Sequence, residues 1–141
     1  MKSRTKILYI DPETKPYYDD IRRIYKRLKL SNSDLFSLAL AFGRYYDIKK
    51  PLDRKVGYIR LENVSKNLLA LIDLLFINEF EDYNQEFFEN PIFGFDLAEE
   101  YANAGIKILI EKIHDSNEDF ESFLFKKMLN LYNNVDFEKL E

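Results

Sequence analysis

The chain has 141 residues, 46% of them hydrophobic, with four Gly, four Pro, one His and no Cys; its 21 Lys and Arg against 25 Asp and Glu give a net charge of −4. Such a composition suits one helix-rich globular domain, residues 1–141, and argues against a disordered chain. It excludes disulfides, thiolate metal sites and cysteine nucleophiles, and His114 alone cannot form a His-rich metal centre.

Met1 to Lys6 resembles a signal n-region, but the apolar run behind it stops at Ile10 and no small-residue cleavage site follows, so secretion is not expected. Lys6-Ile7-Leu8-Tyr9-Ile10 reads as a short strand, stopped by Asp11-Pro12. A helix is expected from about Pro16 to Lys29, with Tyr17, Ile21, Ile24, Tyr25 and Leu28 on one stripe. Its other side carries Arg22, Arg23, Lys26, Arg27 and Lys29, where 22/26 and 23/27 would be neighbours on a basic ridge.

Ser31-Asn32-Ser33-Asp34 then punctuates the chain, with Ser31 as an N-cap and Asp34 at the N3 position of a box-like pair. The second helix, Leu35 to about Tyr46, is apolar on nearly every side, which calls for burial all round or a subunit interface. Lys49 to Leu61 is a basic connector holding Pro51 and Gly57, with room for a second strand at Tyr58-Ile59-Arg60-Leu61. Beyond it, helices are expected at about 64–80, 96–114 and 118–133. A Phe-rich acidic segment, 81–95, separates the first two, with Pro91 and Gly94 as breakers. The longest apolar stretch, Leu68 to Ile77, is ten residues, contains Asp73 and is too short to span a bilayer. The expected fold class is therefore mainly α: a short N-terminal strand, a helix-turn-helix pair, a second short strand and a C-terminal helical bundle. The expected setting is soluble and cytoplasmic, with no membrane partner.

Charge is distributed unevenly. Residues 1–65 hold fifteen Lys and Arg against eight Asp and Glu, a net near +7, and the other 76 hold six against seventeen, a net near −11. A basic part (1–62) beside an acidic helical part (63–141) points to two surfaces with different partners. Seven of the ten Tyr lie in the basic half, and ten of the twelve Phe lie beyond residue 65. Tyr interleaved with cations suits phosphate and sugar contacts; the plainer account is a solvated basic surface with half-buried Tyr. The candidate DNA-contacting residues are Lys6, Arg22, Arg23, Lys26, Arg27, Lys49, Lys50, Arg54, Lys55 and Arg60.

No catalytic residue, metal-ligand set or cofactor motif emerges. Acid-x-Lys triplets at Glu13–Lys15, Asp47–Lys49 and Asp53–Lys55 are no more than random placement of these residue types yields, and no Gly-rich phosphate loop is present. Glu99, Glu100 and Glu111 are expected to face water, and His114 to meet the last carbonyls of its helix. An enzyme is not expected.

Leu30-Ser31-Asn32-Ser33-Asp34-Leu35-Phe36 resembles the hydrophobic-Ser-x-Ser-acidic-Leu-aliphatic stretch that opens the second helix of ribbon-helix-helix proteins. That resemblance implies strands of two subunits paired into a ribbon that enters a major groove, with a helix N-terminus offering N–H groups to a phosphate. Lys6, Leu8 and Ile10, or Ile7 and Tyr9, would then face DNA, although both sets are mostly apolar. Lys29 stands where such proteins usually carry Gly.

Two further stretches are similar to the Dnd system-associated protein 4 family. One is Ser33 to Gly43 followed by Pro51-Leu52; the other, more distinctive, is Asp96-Leu97-Ala98-Glu99-Glu100-Tyr101-Ala102-Asn103-Ala104-Gly105-Ile106-Lys107-Ile108-Leu109, an E-E-Y-A-N-x-G-hydrophobic helix. The resemblance, over roughly residues 30–115, implies a place in prokaryotic antiviral defence beside DNA phosphorothioation genes, and it supplies no catalytic residues. Physically, Ala98, Ala102 and Gly105 would let another helix approach closely, with Leu97, Tyr101, Ala104 and Ile108 as an adjoining apolar stripe.

The leading expectation is a non-catalytic accessory subunit of a DNA-modification or restriction system that contacts duplex DNA backbone, a protein partner, or both. A purely protein-binding adaptor and a ribbon-helix-helix regulator are the alternatives. A homodimer is expected unless the C-terminal helices cover the apolar second helix within one chain.

Overall fold

The structure, a computed structural model, describes residues 7–79 and 92–115. It is mainly helical, in the expected order: β1 (Ile7–Ile10), α1 (Lys15–Ile24), α2 (Asn32–Tyr45), β2 (Val56–Arg60), α3 (Lys66–Glu79) and α4 (Ile92–Asp115). The expected helix at 118–133 lies outside the described residues, as does Lys6. Among the described residues no helix is long and apolar enough to cross a membrane.

β1 and β2 form an antiparallel pair with Ile7 opposite Arg60 and Ile10 opposite Val56, and Tyr58 is the extra residue of a bulge. Leu8, Ile10 and Ile59 turn into the core. Pairing within one chain corrects the expectation of a ribbon made by two subunits. β1's outer edge is engaged as well, because the Tyr9 N–H donates to Glu99 Oε2 of α4 at 2.9 Å.

The first helix is shorter than expected. α1 ends at Ile24, Tyr25 adopts φ −113° and ψ 41°, and Lys26–Leu28 form a single 3-10 turn. Lys29 follows with φ 53°, the left-handed region that only Gly enters without cost. Like-charge pairs at 22/26 and 23/27 disfavour a continued α-helix, and the break removes them. The buried stripe is also rotated from the expected one: Thr14, Tyr18 and Ile21 are buried, whereas Ile24 is 43% exposed.

α2 is the central helix. Ser31 caps it as expected: its Oγ accepts the Asp34 N–H at 3.1 Å, and Asp34 Oδ2 accepts the Ser31 N–H at 2.9 Å. Leu35, Phe36, Ala39, Leu40 and Phe42 are buried, and the cover comes from α4 of the same chain. Backbone-to-backbone approach is the reason. A Cβ on Gly105 would overlap the Ala39 carbonyl, and one on Gly43 would overlap the Tyr101 carbonyl. The small-residue stripe of α4 therefore admits a helix as its spacing implied, and α4 covers the α2 face for which the sequence left a second subunit open. α4 itself starts earlier than expected, at Ile92, so Gly94 does not break it. Gly94 and Phe95 are buried there, and that packing outweighs a helix-propensity cost of about 1 kcal/mol.

Candidate nucleic-acid interface

From Arg22 to Lys29 the chain carries five cations and no acid. The break after α1 turns this run into a compact basic corner between α1 and α2. Arg23, Lys26, Arg27 and Lys29 are exposed, with Ile24 among them. The Arg23 guanidinium meets Asp20 one turn back at 2.7 Å, with its side chain still 70% exposed.

Arg22 behaves differently from its neighbours. It is half-buried, its Nε donates to the Leu30 carbonyl at 3.3 Å, and its Nη2 donates to Asn32 Oδ1. Asn32 Nδ2 in turn donates to the Tyr58 carbonyl at 3.1 Å, the residue of the β2 bulge. The expected ridge of Arg22, Arg23, Lys26 and Arg27 is thus corrected: Arg22 points into the turn. The N-terminus of α2 is no phosphate seat either, since the Asp34 carboxylate occupies it.

The connector cations are dispersed. The Lys50 N–H donates to the Glu100 carbonyl at 3.1 Å, and Asn103 Nδ2 donates to the carbonyls of Lys50 (3.1 Å) and Pro51 (3.2 Å). Further on, buried Asp11 accepts the N–H groups of Glu13 (3.0 Å), Asp53 (2.8 Å) and Arg54 (3.5 Å). The Glu13 N–H first, then those of Asp53 and Arg54, hold the Asp11 carboxyl below its ordinary value against the opposing effect of burial. Lys49 lies 5.7 Å from the Tyr101 ring centroid, and Lys112 at the same distance from that of Tyr46. Contact with Lys50 lowers the Lys107 ammonium below the ordinary lysine value. Arg60 is exposed on β2.

Lys55 has no part in the basic corner. It reaches Glu99 Oε1 at 3.5 Å and Asp96 Oδ1 at 4.0 Å, and lies 5.6 Å from the Tyr9 ring centroid. Glu99 is 3% exposed, which corrects the expectation that it faces water. Its side chain points inward because it takes the outward N–H of β1. Burial pushes its carboxyl up to about 7, against the opposing pull of the Tyr9 N–H and Lys55.

Two features of this region escaped sequence reasoning. Lys107 and Lys112 sit in the acidic half, and its net charge masked them. Glu99 showed no local signal at all, since its partner Tyr9 is 90 positions away. Comparison of the chain with protein-family models, with curated proteins and with solved structures gives no match.

Proposed function

We propose that this chain is a non-catalytic accessory subunit of a prokaryotic DNA-modification or restriction defence system of the phosphorothioation type, and that it contacts the backbone of duplex DNA. The defence setting rests on the resemblance of residues 96–109 to the Dnd-associated family. The DNA contact rests on one observation above the others: the acid-free run Arg22–Lys29 folds into a corner that exposes Arg23, Lys26, Arg27 and Lys29 together. Such a corner suits phosphates and carries no base-reading pattern, so binding is to be strongly salt-dependent and weakly sequence-dependent.

Fluorescence anisotropy with a labelled 30-base-pair duplex across a salt series tests this. Replacing Arg23, Lys26, Arg27 and Lys29 with Gln should reduce affinity more than tenfold and flatten the log K against log salt slope by about 0.9 for each phosphate contact removed. Absence of binding by the unmodified chain even at low salt would sink the DNA contact and leave the protein-binding adaptor. Protection of one short palindromic site would favour the regulator instead, which would need a way to form its ribbon past the Glu99–Tyr9 bond.

A further inference from the structure

We infer that Arg22 is a positioning residue for the basic corner and not one of its DNA contacts; this rests on the DNA-backbone reading above. A guanidinium presents several N–H donors in a rigid fork, and here Nε and Nη2 go to a neutral carbonyl and a neutral amide. Both acceptors lie beyond the corner, at Leu30 and Asn32, so Arg22 spans it from α1 to the first residue of α2. Asn32 passes the tie on to the Tyr58 carbonyl in β2. The two consecutive helices and the more distant β2 are thereby joined through two side chains.

The corner needs such a tie. Within it, Leu28 N–H bonds the Tyr25 carbonyl (3.0 Å) and Lys29 N–H bonds the Lys26 carbonyl (3.1 Å), a single 3-10 turn ending in a left-handed lysine. Short 3-10 turns have poor hydrogen-bond geometry, a left-handed lysine is strained, and the four exposed cations repel one another. Left alone, the segment would sample other conformations. With the Arg22 clasp it holds one, and ordering cost is removed before a phosphate arrives. If losing the clasp leaves the corner in its binding form about a tenth of the time, affinity falls about tenfold with the same number of phosphate contacts.

That separation of affinity from contact number is measurable. In the anisotropy salt series, Lys26→Gln should flatten the slope by about 0.9. Arg22→Gln should weaken binding roughly tenfold at each salt concentration and leave the slope unchanged. Arg22→Lys, which keeps the charge but not the fork, should not restore affinity. Asn32→Ala changes no charge and breaks the clasp from its other end, so it should reproduce Arg22→Gln; it also serves if Arg22→Gln fails to fold. A flattened slope in Arg22→Gln, full recovery in Arg22→Lys, or unchanged affinity in Asn32→Ala would each overturn the inference. If the unmodified chain binds no DNA, the functional reading fails separately. The clasp is then judged by amide exchange, where Arg22→Gln must release the Leu28 and Lys29 amides while those of α2 stay protected.

Discussion

Glu99 and Asp11 are both buried carboxyls, and they pull stability in opposite directions in separate pH windows. Folded Glu99 keeps its proton up to about pH 7, whereas an unfolded glutamate releases it near 4.5. Between those values the folded state binds more protons, so the contribution of Glu99 to stability falls as pH rises, by at most about 3 kcal/mol, and is level above. Asp11 has a lowered folded value, so its contribution is present above 3.8 and is lost as pH falls through the folded value. Glu99→Gln keeps an acceptor for the Tyr9 N–H and removes the titration. Thermal unfolding should show this variant gaining on the parent between pH 5 and pH 8; parallel curves would refute the assignment. Asp11→Ala should cost about 2 kcal/mol at pH 7, since the N–H groups of Glu13 and Asp53 lose their acceptor. Lys29→Gly should stabilise by about 1 kcal/mol in denaturant unfolding, because φ 53° is free of cost only for glycine. The backbone at Lys29 was misread, with the first helix run on to it, whereas the Ser31 cap two residues further on was legible. Glu99 was not, because helical periodicity reports which face is apolar and is silent on a carboxylate drawn inward by a distant strand's N–H.

At the scale of elements, most of what is local could be read and most of what is reciprocal could not. The Ser31–Asp34 capping box is local chemistry over four residues, and it stands as expected. The end of α1 combines like-charge neighbours with the reach of Arg22 past the corner to Leu30, and the second of these has no local signal, so the expected helix overran by about a turn and a half. The E-E-Y-A-N-x-G segment is the clearest case. Its residues serve as fasteners to different elements: Glu99 to β1, Asn103 to the connector, Gly105 to α2. Spacing revealed the small-residue face, while the polar members needed the fold to find their partners. Gly105→Ala tests the closest of these approaches. Its methyl group would meet the Ala39 carbonyl and the Gly43 N–H, both backbone, so neither can swing aside. A cost of about 3 kcal/mol, the upper part of the range for overpacking, is expected in denaturant unfolding. A loss below about 1 kcal/mol would mean that the two helices separate easily.

Across the whole molecule, the charge halves are not structural halves. The acidic part supplies α4, and α4 runs through the middle of the basic part, touching β1, the connector and α2. Its Tyr101, Ala102, Ile106 and Leu109 join Leu8, Ile21, Phe36 and Leu40 in one core. Without α4 the basic part would expose the α2 face around Ala39 and Gly43, along with several large side chains worth about 1.5–3 kcal/mol each when buried. Residues 1–62 alone are therefore expected to stay unfolded, even though they hold the strand pair, both N-terminal helices and every cation of the basic corner. Far-UV circular dichroism of that fragment should show little helix and no cooperative melting transition. A cooperative transition would mean that the basic part is an autonomous unit and that α4 only decorates it. In this packing the dependence runs the other way: the basic corner is presented by a core that the acidic half completes, so a change in α4 should alter the corner without touching a single one of its cations.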